Sequence, residues 1–513
     1  MRLLLLVLFC FVGGNLFKAN FIFAQVYGSN TFEFQYGNLP FENNSDLTTS
    51  YNQLNLFYDA DRLSFYGKVE QFLTPNNDRN YIELTQKRIQ YQDDNYRIRV
   101  GNFYETIGRG LLLRSYDIPG SVYEDQFNRV RYGFFRDLEG ISVDGRSGDW
   151  LEVKALRAKP LFNLEPPNVE TDSVRRPDFV EAIQANVYLS NALSVGGAFM
   201  RSHPNIGNEY QEFGSLMFDA NLLPNIQFFG EYAFRTDAAV LAFQKEDSYA
   251  LYTGLNFYLH SFGGSLEYKN YNLFRLGQGY NDPPSLIKEH TYPVLNRSTH
   301  VLETSNETGF QAEVYYNFDD GHSLVANVTT ARNEVFLEQN YLELFLEGYY
   351  EIDDYLSVKS FFDYANDDLK REEDRISVGL ITDKSFDYVW GVVLDLQYQT
   401  FTREDFDPSS SSFVPNNSSN YYGSITFSYL PDFSAGLIFE ASTDPEITDN
   451  PKTFDPETDT RTWLGANVSY KFNSSNRVDV FAGKRRGGPA CTSGICYEIL
   501  DFEGVEIRFS TRF

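Results

Sequence analysis

Taking every second residue of VEIRFSTRF, residues 505–513, gives two different surfaces. Val505, Ile507, Phe509, Thr511 and Phe513 share one side, and Glu506, Arg508, Ser510 and Arg512 share the other. Side chains alternate across a strand, so this stretch predicts a β-strand with one apolar and one charged face. Residues 462–472 set Thr462, Leu464, Ala466, Val468, Tyr470 and Phe472 against Trp463, Gly465, Asn467, Ser469 and Lys471. Residues 310–318 and 342–350 divide the same way, with Phe310, Val314, Leu344 and Leu346 opposite Gln311, Glu313, Glu343 and Glu347. Period-2 runs of roughly 8–13 residues recur along the whole chain, about 24 in all. Residues 81–91 and 193–201 alternate poorly, which leaves the count between about 22 and 26.

The connections between runs sort into two kinds. One kind is tight: DADR at 59–62, RSGD at 146–149, LSNA at 189–192, LLPN at 222–225, FDDG at 318–321, TDKSFD at 382–387 and NSSN at 473–476 are examples. These carry the Asp, Asn, Gly and Ser that build tight turns. The other kind is long and variable, the longest being 106–137 and 274–307. A soluble sandwich has no reason to sort its connections by side. A closed antiparallel transmembrane β-barrel does, with short turns on the periplasmic side and long loops outside. The fold class expected is therefore all-β, one such barrel.

Composition agrees with a barrel and removes other classes. Mean hydropathy is −0.39 and aromatics make up 17% of the chain. Beyond the first two dozen residues no apolar run approaches the ~18–20 residues of a spanning helix. A net charge of −28 excludes nucleic acid as a partner, since that needs basic patches. At the start, Arg2 and the run LLLLVLFCFVGG lead to Ala24, which reads as a signal peptide over 1–24 and one barrel domain over 25–513. Cys491 and Cys496, in GGPACTSGICYEI, are expected to form a local disulfide, as a close pair in an exported chain does. Catalytic, cofactor and metal sites are not expected. His260 and His322 fall in tight turns, and His203, His290 and His300 have no neighbouring catalytic motif.

The last strand, with Phe509 and Phe513 at the characteristic places, resembles the C-terminal assembly signal of bacterial outer-membrane barrels. That resemblance implies the outer membrane of a Gram-negative bacterium, contact with its lipid and lipopolysaccharide, and docking to the barrel insertion machinery through this strand. The stretches GNFYETIGRGLLLRSY at 101–116 and GKRRGGPACTSGICYEILDFEGVEIRFSTRF at 483–513 are similar to an uncharacterised family of large Bacteroidota-type outer-membrane barrels. The family brings no activity with it.

Size raises the functional question. Strands ~4.8 Å apart and tilted ~40° close 24-fold at a diameter of roughly 45–50 Å, too wide to leave open. The first run, VYGSNTFEFQYG at 26–37, starts directly after the signal, so narrowing is expected from loops. Segment 106–137 is the candidate, because its Leu111, Leu112, Leu113, Phe134 and Phe135 suit burial. Its Arg109, Arg114, Arg129 and Arg131 are expected to meet inward carboxylates such as Glu343, Glu347 and Asp395. Segment 274–307, with its PP, NDP and polar content, is expected to be solvated. The acidic stretches EEDR at 372–375 and 444–460 are candidate holders of divalent cations or of lipopolysaccharide through them. The function expected is a porin-like channel or transporter for an unidentified solute. The alternative is an assembly or surface-interaction protein whose outer loops bind a protein or lipopolysaccharide. Replacing Phe509 and Phe513 together by Ala should prevent insertion, read as loss of the heat-modifiable barrel band from outer-membrane fractions; a normal band would refute the assembly reading.

Overall fold

The computed structural model describes residues 24–513 except 39–45, 169–171, 205–209, 237–247, 275, 277–280, 282, 301–305, 335–337, 388, 408–411, 430, 449–457 and 493–494. Residues 1–23 of the segment read as a signal peptide lie outside the described residues, and Ala24 begins the first strand.

Twenty-four strands form one antiparallel sheet, each paired to the next along the chain. The sheet closes where the first strand, Ala24–Asn38, pairs with the last, Phe502–Arg512, in the register Ser29↔Arg512 to Asn38↔Glu503. At this seam Phe513 exchanges backbone hydrogen bonds with Gly28, at 2.8 and 3.0 Å. The Phe513 ring lies directly on Gly28: a Cβ there would stand 2.8 Å from the ring and 2.5 Å from the Asn55 carbonyl oxygen. Only glycine allows so close an approach.

Both chain ends of the barrel and all the tight turns lie at one rim, and the long connections lie at the other. One turn is displaced from its expected place. The strand Glu372–Ser385 continues through TDKS, and the next begins at Trp390. Asp387 makes the turn, because its carboxylate accepts the backbone N–H groups of Val389 and Trp390, both at 2.8 Å.

The outward face is apolar and open. Leu464 is 63% exposed, and Leu216, Ile82, Leu344, Leu346, Ile507 and Val505 are exposed as well. Tyr316, Phe318, Tyr350, Tyr429, Tyr470 and Phe472 form exposed aromatics at the turn rim. Toward the loop rim the same face turns charged two residues beyond Ile141, Ile183 and Phe199. There Lys87 pairs with Glu139 at 3.2 Å, Arg157 with Glu181 at 3.4 Å and Arg201 with Glu212 at 2.6 Å. An apolar band bounded by rings and charges suits hydrocarbon between two polar interfaces.

The two poorly alternating runs are strands after all, each for its own reason. In Tyr81–Gln92 the register shifts, with Lys68 opposite Gln86 but Val69 opposite Leu84, so Thr85 is an extra residue. This bulge flips the parity: Ile82 and Leu84 face outward before it and Ile89 after it. In Leu193–His203 the inward Met200 is fully buried while the outward Val195 and Phe199 are exposed. The lumen wall here is apolar too, joining Leu156, Val180, Ala182 and Phe213 in one cluster.

A charge in the outward band should be costly and one on the lumen side cheap. Ile507→Arg is expected to destabilise the barrel by about 2–4 kcal/mol if it lies near the bilayer midplane. Ser510→Arg, at a residue lining a polar cavity on the lumen side, should change little. Urea unfolding in bilayers compares them, and equal losses would refute the face assignment.

Candidate functional site

Segment 104–137 folds into two small hairpins on the lumen wall. The first pairs Thr106–Ile107 with Leu113–Arg114, and the second pairs Tyr116–Glu124 with Arg131–Arg136. Leu111, Leu112 and Leu113 are fully buried on the apolar wall patch that includes Met200, Phe229 and Tyr252. The second hairpin packs Tyr132 and Phe134 over Tyr51, Phe72 and Tyr81. Burying a Leu or Phe side chain contributes about 1.5–3 kcal/mol, so these contacts hold the segment to the wall.

Its arginines lie at separate points. The Arg109 backbone N–H donates to Glu231 Oε2 at 2.6 Å, its guanidinium pairs with Asp219, and it lies 4.0 Å from the Phe229 ring centroid. Arg131 pairs with Glu33 at 3.0 Å and Glu506 at 3.7 Å, on the two seam strands. Glu33 is fully buried and is also paired with Arg508. Arg129 pairs with Glu124 at 2.5 Å and donates to the Asp501 carbonyl at 3.0 Å. Arg114 stands opposite Thr106 in the first hairpin. The expected partners Glu343, Glu347 and Asp395 are taken elsewhere. Glu343 meets His290, Glu347 accepts from Tyr292, and Asp395 accepts from Gln397.

Two of those partners belong to segment 274–307, which corrects the expectation that it is solvated. Leu286, Ile287, Tyr292, Val294 and Leu295 are buried, the last three in a cluster with Phe345 and Phe361 of the wall. A short helix, Pro293–Arg297, starts with proline at its first position, where the missing N–H costs nothing. The segment's polar groups find the wall rather than water. Lys288 pairs with Glu313 at 2.5 Å, His290 Nε2 lies 3.1 Å from Glu343, and Arg297 grips Glu440 with two nitrogens. His300 Nδ1 lies 3.0 Å from Asp367 and its ring stacks on Tyr341 at 4.4 Å.

Acidic residues read as cation sites are engaged by arginines. Glu372 pairs with Arg375 at 3.0 Å and with Arg403 at 2.9 Å, and Asp444 pairs with Arg403 at 2.8 Å. Residues 449–457 of the second acidic stretch lie outside the described residues. His290, Glu343 and Asp363 place three ligand atoms within 4.8 Å of one another. Arg375 reaches both carboxylates, at 3.5 and 3.6 Å, and supplies the positive charge there. Removing one partner of such a buried pair costs about 3–5 kcal/mol.

A third inward segment completes the arrangement. The strands Gly488–Thr492 and Ile495–Ile499 form a hairpin with Cys491 and Cys496 opposite each other; their side chains lie outside the described residues. Tyr497 packs on Phe134 at 5.0 Å between ring centroids. On its other side Gly488 lies against Arg297, whose Cδ would stand 3.5 Å from an added Cβ. The three segments thus touch in series. Toward the turn rim the lumen opens into a cavity of about 1010 Å³ lined by Asn30, Lys68, Asp117, Arg485 and Arg508. A second, of about 420 Å³, lies beside Arg109 and Asp219.

The wall carboxylates give segment 274–307 a pH dependence. Burial opposes the charged His300 imidazole, but the hydrogen bonds to Asp367 and Glu307 outweigh it and raise its pKa. A histidine raised on folding adds stability that is complete below about 6.5, its ordinary value, and is lost as pH rises through the raised value. Amide exchange across 285–300 should therefore accelerate, beyond the intrinsic rate, as pH rises above about 6.5. His300→Gln should abolish that pH dependence, and a dependence that survives the substitution would refute the assignment.

No curated protein matches the sequence. Among solved structures, the barrel is similar to OccK3 (OpdO) of Pseudomonas aeruginosa, at 12% identity and a TM-score of 0.39, covering 70% of this chain and 94% of that one. OpdL of the same organism gives 12% and 0.40, covering 67% and 94%. The outer membrane protein opdK gives 11% and 0.38, covering 70% and 97%. A family model matches residues 1–335, and with it the chain belongs to the family of unknown function DUF6029.

Proposed function

We propose that the protein is an outer-membrane channel for a small solute, narrowed by segment 104–137 folding into its lumen. The observation that carries this reading is the pair of anchors on that segment. Arg109 ties its first hairpin to Asp219 and Glu231, and Arg131 ties its second to Glu33 and Glu506. Those partners sit on strands far apart around the sheet, so the segment spans part of the opening instead of lying along one wall. The apolar band outside and the polar cavities inside support a water-filled path through a bilayer. Cavities of about 1010 and 420 Å³ among the described residues are of a size that fits a small solute.

One observation favours the alternative of a surface-interaction protein. Phe127, at the tip of the second hairpin, is 92% exposed and offers an apolar ring to a binding partner.

Deleting residues 109–133 separates the two. The channel reading expects an inserted barrel with larger single-channel conductance and leakage of bulky antibiotics. An inserted deletion variant with unchanged conductance and drug tolerance would overturn it.

A further inference from the structure

Near the loop rim, a cavity of about 620 Å³ opens between the helix Pro293–Arg297, the turn at 368–371 and the segment 486–489. Six cations line it: Arg297, Lys370, Arg371, Arg403, Arg461 and Arg486. Arg297 is neutralised by Glu440. Lys370 and Arg486 have only neutral hydrogen-bond partners. Lys370 Nζ donates to the Arg297 backbone carbonyl at 3.3 Å, and Arg486 donates to Asn420 Oδ1 at 3.1 Å and lies over the Trp463 ring at 5.4 Å. Among the described residues, neither has a carboxylate at ion-pairing distance.

The carboxylates lining the same cavity are already committed. Glu372 and Asp444 pair with Arg403, and Glu446 pairs with Arg403 and Arg371. Asp501 accepts from the Gly487 N–H at 2.9 Å and from Trp463 Nε1 at 3.2 Å. Glu498 is pushed up by burial and then by Asp501, so it gives up its proton reluctantly. Among the described residues, Lys370 and Arg486 are thus left without an ion pair in the cavity, and Asp501 is held by neutral donors alone. Burial, then the neighbouring Arg297, pushes the Arg486 guanidinium down to about 10, and burial likewise pushes Lys370 down. A charged group held where its charge is disfavoured gains most from a counter-charge.

We propose that this cavity is a binding site for a small organic anion bearing a carboxylate or phosphate, with Arg486 and Lys370 as its ligands and Trp463 as the floor. The volume falls within the range of small-molecule sites, roughly 300–1,000 Å³. An arginine fixed against an indole presents its N–H fork in one plane, which suits two-point recognition of a carboxylate or phosphate. The inference rests on the channel reading for its role, since at the loop rim such a site would take up the solute before it passes the narrowed lumen. The anion-binding chemistry itself does not depend on conduction.

Isothermal titration of the full-length refolded barrel with inorganic phosphate, and separately with benzoate, tests it. Saturable binding of either is expected, with Arg486→Gln and Lys370→Gln each weakening it by about tenfold, equivalent to about 1.4 kcal/mol. Arg486→Lys should restore part of the loss. Arg62→Gln, which removes the same charge from the turn rim, should leave binding unchanged. Native migration on unheated gels shows that each variant is folded. No binding of either anion, or equal losses in Arg62→Gln and Arg486→Gln, would overturn the proposal. Binding of lipopolysaccharide micelles that Arg486→Gln abolishes, without binding of either free anion, would assign the site to lipid-borne phosphate and overturn the solute reading. A barrel silent in planar bilayers that still binds the anion would remove the channel reading alone, whereas conduction without anion binding would remove only this site.

Discussion

Everything in this structure follows from the need to pair every backbone N–H and C=O where water is absent. Inside hydrocarbon an unpaired group costs several kcal/mol, so a sheet that spans must close. Closure here joins Ala24–Asn38 to Phe502–Arg512, the two strands most distant in sequence. The seam needs Gly28, because the Phe513 ring and the Asn55 carbonyl occupy the space a Cβ would take. Twenty-four strands then fix a circumference that no side chain can fill from the wall. The inward segments are the consequence of that width.

The charges inside follow from the same constraint. An inward segment brings its own backbone and side chains into a restricted, partly dry space, where unpaired groups are costly. Arg131 between Glu33 and Glu506, Arg109 on Asp219, and Arg297 on Glu440 meet that demand. The excess of acid in the composition is therefore partly an internal matter. Many of the carboxylates that make the chain so negative are the fixed halves of pairs whose other halves come from loops.

Strands and turns were legible in the sequence because their signals are local. Alternation in 462–472 and 505–513 needs no knowledge of neighbours, and neither do the Asp, Asn and Gly of the turns. The Thr85 bulge was not legible, since an extra residue shows only against the register of a partner strand. Apolar residues on both faces of 193–203 blurred the pattern for another reason: the inner ones are covered by Leu111–Leu113, which lie some eighty residues away in the chain. Segment 274–307 read as solvated because polar residues serve water and a carboxylate wall equally well. His290 and His300 stand ten residues apart in a chain with five histidines, and that clustering was the one signal that could have marked it. Which carboxylate each arginine meets depends on how the loops fold, so Glu343, Glu347 and Asp395 were unreachable as right or wrong partners from spacing alone. Arg486 gave no signal, because its significance lies in what surrounds it.

The serial contact of the three inward segments has a consequence for how the lumen can change. Phe134 meets Tyr497 of the hairpin 488–499, the middle member, and Gly488 of that hairpin meets Arg297 of segment 274–307. Displacing the middle member strips a neighbour from both of the others, so a partial opening forfeits contacts on two fronts at once. Such an assembly behaves like an arch with a keystone at 488–499: it holds or yields as a unit. Its transitions would be few, large and abrupt.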